Sequence, residues 1–244
     1  LVQLAHRATS DGAIAVLQGR SVGGSTTVNW TSSFRTPAPT LKFWASECEV
    51  VGHSVDEMKP WFEMMEKRLD VMLWEAHNPN NSVLMRGCQK LGWEAHAIPR
   101  NVRGCWNSGY CGLGCPVNAK QSTLVSTIPG ALKQGATLVH RVRVRQLQHV
   151  DGKISGAVGE ALREDGRTPS GTLLTIKARH YIAAGGAINT PALLLRSKAP
   201  DPHQILGKRS FIHPVVLSLA QMPERIDPFF GAPQSIASDH FQWK

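Results

Sequence analysis

No G-x-G-x-x-G run occurs anywhere in the 244 residues. That removes the fingerprint by which a strand–turn–helix unit grips a dinucleotide, and it disfavours a nicotinamide dehydrogenase. The nearest approach, Gly109-x-x-Gly112-x-Gly114, has its glycines in the wrong order and follows no predicted strand. Nowhere do 18 apolar residues run uninterrupted, which argues against a spanning helix. The first residues, Leu1 to Arg7, show neither an initiator Met nor a signal-peptide layout, and they read as the start of an excised piece or an incomplete frame. There is no internal repeat, no low-complexity tract and no C-x2-C pair. Acid is scarce: 18 Asp and Glu face 27 Lys and Arg, a net charge of +9. The 42% hydrophobic content is that of an ordinary globular chain, so disorder is not expected.

The basic balance invites a nucleic-acid reading. Its strongest cluster is Arg141, Arg143 and Arg145, alternating with Val142 and Val144, which is the pattern of a strand with one basic face. No aromatic residues interleave to stack bases, so a solvated outer face is the better reading and no nucleic-acid partner is expected. Five cysteines make an odd count. Three of them, Cys105, Cys111 and Cys115, sit in a glycine-rich loop as C-x5-C-x3-C. Free thiols or one disulfide suit that spacing. An iron–sulfur or zinc protein using this loop is an alternative.

Local patterns predict a mixed chain. Ser54-Val-Asp-Glu57 is a capping box. Met58, Trp61, Phe62, Met65 and Leu69 follow at helical spacing as the buried stripe of a helix whose regular part starts at Pro60. A second helix is predicted from Asn81 or Ser82, with Leu84, Gly87, Cys88 and Leu91 on one face and Gly92 as its stop. A third is predicted from a Ser122 cap to Gly135. Strands are expected over 137–150, 153–162, 171–178 and 180–184, with Asp151-Gly152 as a hairpin turn between the first two. Thr190-Pro191 is expected to open a fourth helix. Val215 to Leu219 reads as strand-like. The fold class is therefore α/β with α+β elements and a local β-meander.

Two glycine segments carry the chemistry. In Gln18-Gly-Arg20-Ser-Val-Gly23-Gly24-Ser25-Thr26-Thr27-Val28-Asn29-Trp30, paired glycines permit close backbone approach. The hydroxyl residues and Asn29 add donors, and Arg20 adds a cation, as an anion such as a pyrophosphate requires. About 160 residues later comes Ile182-Ala-Ala184-Gly185-Gly-Ala-Ile-Asn-Thr190-Pro191.

The two segments, in this order and at this separation, resemble the signatures of the glucose–methanol–choline family of FAD-dependent oxidoreductases. Gly23 to Asn29 matches the first and Ala183 to Leu195 the second. The intervening Trp-rich helical insertion, the Gly114-Cys-Pro…Lys120-Gln-Ser-Thr segment, the β-meander and Gly207-Lys…His213-Pro also fit. The resemblance implies FAD as cofactor, contacted by Gly23, Gly24, Ser25, Thr26, Asn29, Val144, Ala184, Gly185 and Thr190, with Val144 acting through its backbone and Val142 as the one-register alternative. Arg20 joins this set by its charge beside the loop. It implies a partial FAD-binding Rossmann-like domain with part of an antiparallel-sheet substrate domain. The segments are 1–40 (FAD domain with the glycine loop), 41–103 (helical insertion), 104–200 (FAD domain) and 201–244 (start of the substrate domain). It further implies oxidation of the CH–OH group of a small-molecule alcohol by hydride transfer to FAD. The acceptor that reoxidises the flavin, the alcohol and the compartment are left open. The family's catalytic His is expected beyond Lys244, so His213 is read as structural and no catalytic residue is assigned. Certain relatives carry a three-iron cluster on cysteines in about this region, but Trp106 stands where a second adjacent cysteine is expected. No metal is therefore assigned.

Overall fold

The structure, a computed structural model, describes residues 8–213 and 215–242. The chain forms two compact units, Leu1–Ala136 with Gln221–Lys244, and Thr137–Ala220.

In the first unit, helix α1 (Ala38–Glu47) starts behind Pro37. Helix α2 (Val55–Leu69) carries the predicted capping box: Glu57 N–H donates to Ser54 Oγ at 3.3 Å, and Ser54 N–H donates to the Glu57 carboxylate at 3.0 Å. The helix begins at Val55 and runs straight through Pro60, so the regular part does not wait for the proline. The stripe expected to be buried is only partly covered. Met58, Phe62 and Leu69 are half-buried, whereas Trp61 and Met65 are exposed. The reason is that strand β1 (Val71–Leu73) is the main element packed on α2.

Helix α3 (Pro79–Leu91) is capped by Asn78, three residues ahead of the predicted start, because its side-chain oxygen accepts the Asn81 N–H at 2.8 Å. It stops at Gly92, as expected. Its buried side passes through Asn81 and Cys88, while Leu84 and Leu91 are exposed. Strand β2 (His96–Ala97) pairs antiparallel with β7 (Ile236–Ala237), and β3 (Pro99–Asn101) pairs with β1. A small core of Trp74, Val102 and Ala232 gathers these pieces, with Cys105 against it. Helix α4 (Thr127–Lys133) starts later than predicted. Ser122 is buried in a preceding turn, and it is its carbonyl that accepts the Ser126 N–H and Ser126 Oγ.

The second unit is the expected meander: β4 (Val142–Val150), β5 (Lys153–Leu162) and β6 (Pro169–Ile176), paired antiparallel in that order. Asp151 and Gly152 both adopt positive φ, at 49° and 76°, the geometry a two-residue hairpin turn demands. The first strand begins at Val142 and not at 137, and residues 180–184 are not a strand. Helix α5 (Gly186–Arg196) begins four residues before Thr190, so Pro191 lies inside it. It packs on β4 through Ser197, whose Oγ accepts the Leu147 N–H at 2.8 Å. Residues 215–219 form no strand and are exposed. A register shift in β4 falls between Val144 and Gln146. Arg145 there is paired with Glu160, and Arg143 donates to the Arg167 carbonyl at 3.1 Å.

The turn between β5 and β6 is built on Asp165, whose carboxylate accepts from the N–H groups of Arg167 and Thr168 at 2.8 and 2.9 Å and from the Thr168 hydroxyl. Those bonds hold its pKa down from 3.8 to about 2. A carboxylate with a depressed folded-state pKa stabilises above the unfolded value and loses that contribution as pH falls through the folded value. Asp165→Ala is expected to lower the melting temperature above pH 3.8, and the gap to wild type should close as pH falls toward about 2. A pH-independent gap in calorimetric scans would contradict this role.

Candidate cofactor site

The glycine loop of the first unit is a single 3-10 turn, Gly24–Thr27, entered through Gly23 in left-handed conformation at φ 90°. Its threonine hydroxyls turn inward. Thr26 Oγ1 donates to the Gly23 carbonyl at 2.6 Å and lies 3.0 Å from Thr123 Oγ1, and Thr27 Oγ1 donates to the Gly24 carbonyl at 2.7 Å. Ser25 Oγ accepts the Gly19 N–H at 3.1 Å. The loop is thus shaped by its own hydroxyls and docked on residues 120–124, where Thr123 donates both to Thr26 (N–H, 3.1 Å) and to the Gly23 carbonyl (Oγ1, 3.1 Å). The motif by itself points those hydroxyls at a ligand. Their geometry gives Thr26 and Thr27 a part in building the loop.

Beside this loop is a cavity of about 610 Å³. One wall is Ser25 with Val28, Asn29, Trp30 and Thr31. The lining is completed by Gly109, Gly112 and Leu113, and by Phe229, Gly231, Pro233 and Gln234. Its volume lies in the range of small-molecule sites, and its lining is mostly apolar with a few amides and hydroxyls. Among the described residues, none that lines it is charged. These features fit the ring portion of a flavin. At Gly24 an added Cβ would meet nothing within 4 Å, so the crest of the loop is bare and a ligand can approach its backbone.

Among the ten residues predicted to contact a cofactor, Ser25 and Asn29 line this cavity, and Gly23, Gly24 and Thr26 form the loop beside it. Arg20 is exposed just ahead of the loop. Val144, Ala184, Gly185 and Thr190 belong to the second unit. Val144 pairs with Gly159 in the meander, next to the register shift. Ala184 and Gly185 are exposed at the entry to α5, where the Gly185 N–H donates to Thr190 Oγ1 at 2.8 Å. His213 is exposed, and Pro214, which follows it, lies outside the described residues.

The cysteine loop forms the far side of the same region. Cys105, Cys111 and Cys115 are free thiols around a separate space of about 20 Å³, room for one water molecule, so the disulfide alternative is not realised. Among the described residues no group of three metal-ligating side chains is assembled. Burial pushes the Cys111 thiol up, against the pull of Arg100 and Lys120.

Two buried cations carry no clear mark in the amino-acid sequence. Arg100 is fully buried over the face of Trp74, its guanidinium carbon 4.9 Å from the ring centroid. Its Nη2 donates to Cys111 Sγ at 3.5 Å, and its Nε and Nη1 have no partner among the described residues. Lys120 is 3% exposed. Its one sequence signal is membership of the Ala119-Lys-Gln-Ser-Thr123 run that matches the family pattern.

Residues 3–215 match the family described as GMC oxidoreductase. An uncharacterized GMC-type oxidoreductase of Mycobacterium tuberculosis is 30% identical over 236 residues, covering 94% of this chain and 36% of the relative. A long-chain-alcohol oxidase of Arabidopsis thaliana is 30% identical over 230 residues, covering 91% of this chain and 30% of the relative. In fold, the chain is similar to an FAD-dependent oxidoreductase from Chaetomium thermophilum, with a TM-score of 0.54 at 13% identity, covering 81% of this chain and 37% of that one. The chain spans about a third of the length of these relatives. On the match over most of its length, the chain belongs to the glucose–methanol–choline family of FAD-dependent oxidoreductases.

Proposed function

We propose that this chain supplies the cofactor-holding part of an enzyme that oxidises the CH–OH group of an alcohol, with FAD seated against the glycine loop and the cavity beside it. The observation that carries the reading is the 610 Å³ cavity lined by Ser25 and Asn29, with the bare crest at Gly24 next to Ser25 in the same loop. FAD, when bound, supplies the acceptor for a hydride. The protein residues have simpler tasks. Gly23 and Gly24 admit close approach, Asn29 offers an amide to ring-edge atoms, and Arg20 adds positive charge near the loop. Trp30, Leu113 and Phe229 offer apolar surface in the cavity. Val144, Ala184, Gly185 and Thr190 are assigned to the same cofactor from the second unit, and the segments 1–40 and 104–200 to its domain. The remaining segments, 41–103 and 201–244, are assigned to the substrate side.

An alcohol with an apolar carbon chain is the substrate class we favour. The apolar lining and the resemblance to long-chain-alcohol oxidases both support it. The test is the visible spectrum of the polypeptide encoded by the complete gene, recorded under nitrogen while alcohols of increasing chain length are added. Flavin bands that bleach faster with longer alkyl alcohols are expected. Colourless protein that cannot be reconstituted with FAD would overturn the reading.

A further inference from the structure

Lys120 has its backbone fixed independently of its side chain: the residue bridges Val102, and the adjoining Gln121 N–H donates to the Asn101 carbonyl at 3.0 Å. From that anchor its ammonium donates to three carbonyls, Thr27 at 3.1 Å, Asn29 at 2.5 Å and Cys111 at 2.6 Å. All three of its protons are thereby used, and no carboxylate pairs with it among the described residues. Burial works against such a charge and pulls the Lys120 pKa down. A residue kept charged at that cost is doing something that an apolar or hydroxyl side chain does not.

Its acceptors lie on two adjoining segments, each of which supplies residues to the lining of the large cavity. Thr27 and Asn29 belong to the glycine-loop wall. Cys111 sits in the 3-10 turn Tyr110–Leu113, which supplies Gly112 and Leu113. The loop wall is also strained: buried Thr31 holds φ at 70°, a conformation β-branched residues avoid. Such strain persists only where the surroundings over-determine it. The packing is tight as well, since a Cβ on Gly112 would come within 2.9 Å of Trp30 Nε1.

We propose that Lys120 is a positioning residue of the cavity: one ammonium pins the 27–29 segment to the 110–113 turn and so sets the aim of Asn29 and Trp30 into the cavity. The proposal rests on the flavin reading above. Removing the strut lets the 27–31 segment relax, so a bound flavin meets a differently shaped wall.

The test compares wild type, Lys120→Met and Lys120→Arg in the polypeptide encoded by the complete gene, using FAD as the probe and reading the dissociation constant and the visible circular dichroism of flavin at saturation. Lys120→Met is expected to weaken FAD by about tenfold, because the lining that meets the flavin is no longer held in shape. Its flavin bands should shift even when the site is filled, which simple destabilisation does not produce. Lys120→Arg keeps the charge but cannot place one nitrogen against three carbonyls, so it should shift the bands in the same direction by less. If Lys120→Met does not fold, Lys120→Arg decides. Variants with the wild-type dissociation constant and wild-type bands would overturn the positioning role while leaving the flavin reading intact. A wild type that takes up no FAD would overturn the flavin reading, and the positioning role with it.

Discussion

Gly23→Val is expected to abolish flavin retention, and Gly24→Ala to weaken it without harming the fold. The two adjacent glycines differ in what surrounds them. At Gly23, with φ 90°, a Cβ would lie 2.8 Å from Thr27 Cγ2, 3.0 Å from Leu124 Cβ and 3.1 Å from the Leu124 nitrogen. Leu124 is part of the segment on which the loop is docked, so the clash pushes the loop off its support. Overpacking and left-handed strain together cost about 3 kcal/mol, more once the second valine carbon is counted. At Gly24 the same Cβ meets no atom within 4 Å, and alanine there carries only the left-handed strain, about 1 kcal/mol. If the open space belongs to the cofactor, the Gly24→Ala methyl occupies it. FAD should then dissociate more than tenfold more readily, while the melting temperature of the flavin-free protein barely moves. Flavin content by absorbance and calorimetry of the stripped protein measure both quantities. Normal flavin content in Gly23→Val would sink the assignment of this loop.

Asn81→Leu is expected to destabilise the first unit by about 2–3 kcal/mol. Asn81 Oδ1 accepts the Ser235 N–H at 2.9 Å, and its Nδ2 donates to Asn78 Oδ1 at 2.7 Å and to the Ala232 carbonyl at 3.0 Å. Asn78 adds a bond from its own Nδ2 to the Phe230 carbonyl at 2.9 Å. Ala232 and Ser235 are both fully buried. Leucine has nearly the right size but leaves the buried Ser235 N–H without a partner, worth about 1–3 kcal/mol, and the Ala232 carbonyl with only the longer 3.4 Å bond from Asn78 Nδ2. Because the 228–235 segment supplies Phe229, Gly231, Pro233 and Gln234 to the cavity, flavin affinity should fall together with stability. Urea unfolding monitored by tryptophan fluorescence tests this, and a loss under about 1 kcal/mol would show that the asparagine network is not what ties this segment down.

The features legible in the amino-acid sequence are those decided within a few residues of each other. Ser54 and Glu57 stand three apart, the separation at which side chain and backbone can exchange bonds. Asp151-Gly152 supplies the two positive φ angles a hairpin needs, and Gly92 ends α3 because it alone takes left-handed φ without strain. The glycine pair at 23–24 and the Ala184–Thr190 turn are recognisable for the same reason: their chemistry is carried by backbone freedom over a handful of positions. Amphipathic spacing identifies the apolar side of α2, but spacing says nothing of what covers that side, and Trp61 and Met65 are left open.

The remainder is set by contacts between residues far apart in the chain. Thr123 reaches Thr26 across 97 positions, Lys120 spans 93 to Thr27, and Asn81 holds Ser235 across 154. A lysine in a Lys-Gln-Ser-Thr run, or two asparagines at a helix start, reads as solvated surface by residue type. Each becomes buried only when folding brings carbonyls and N–H groups from elsewhere around it, and a polar side chain does not encode in its own neighbourhood which distant backbone will satisfy it. That is why the loop is visible as a motif in the amino-acid sequence, while the strut, the docking segment and the cavity walls emerge from three-dimensional packing.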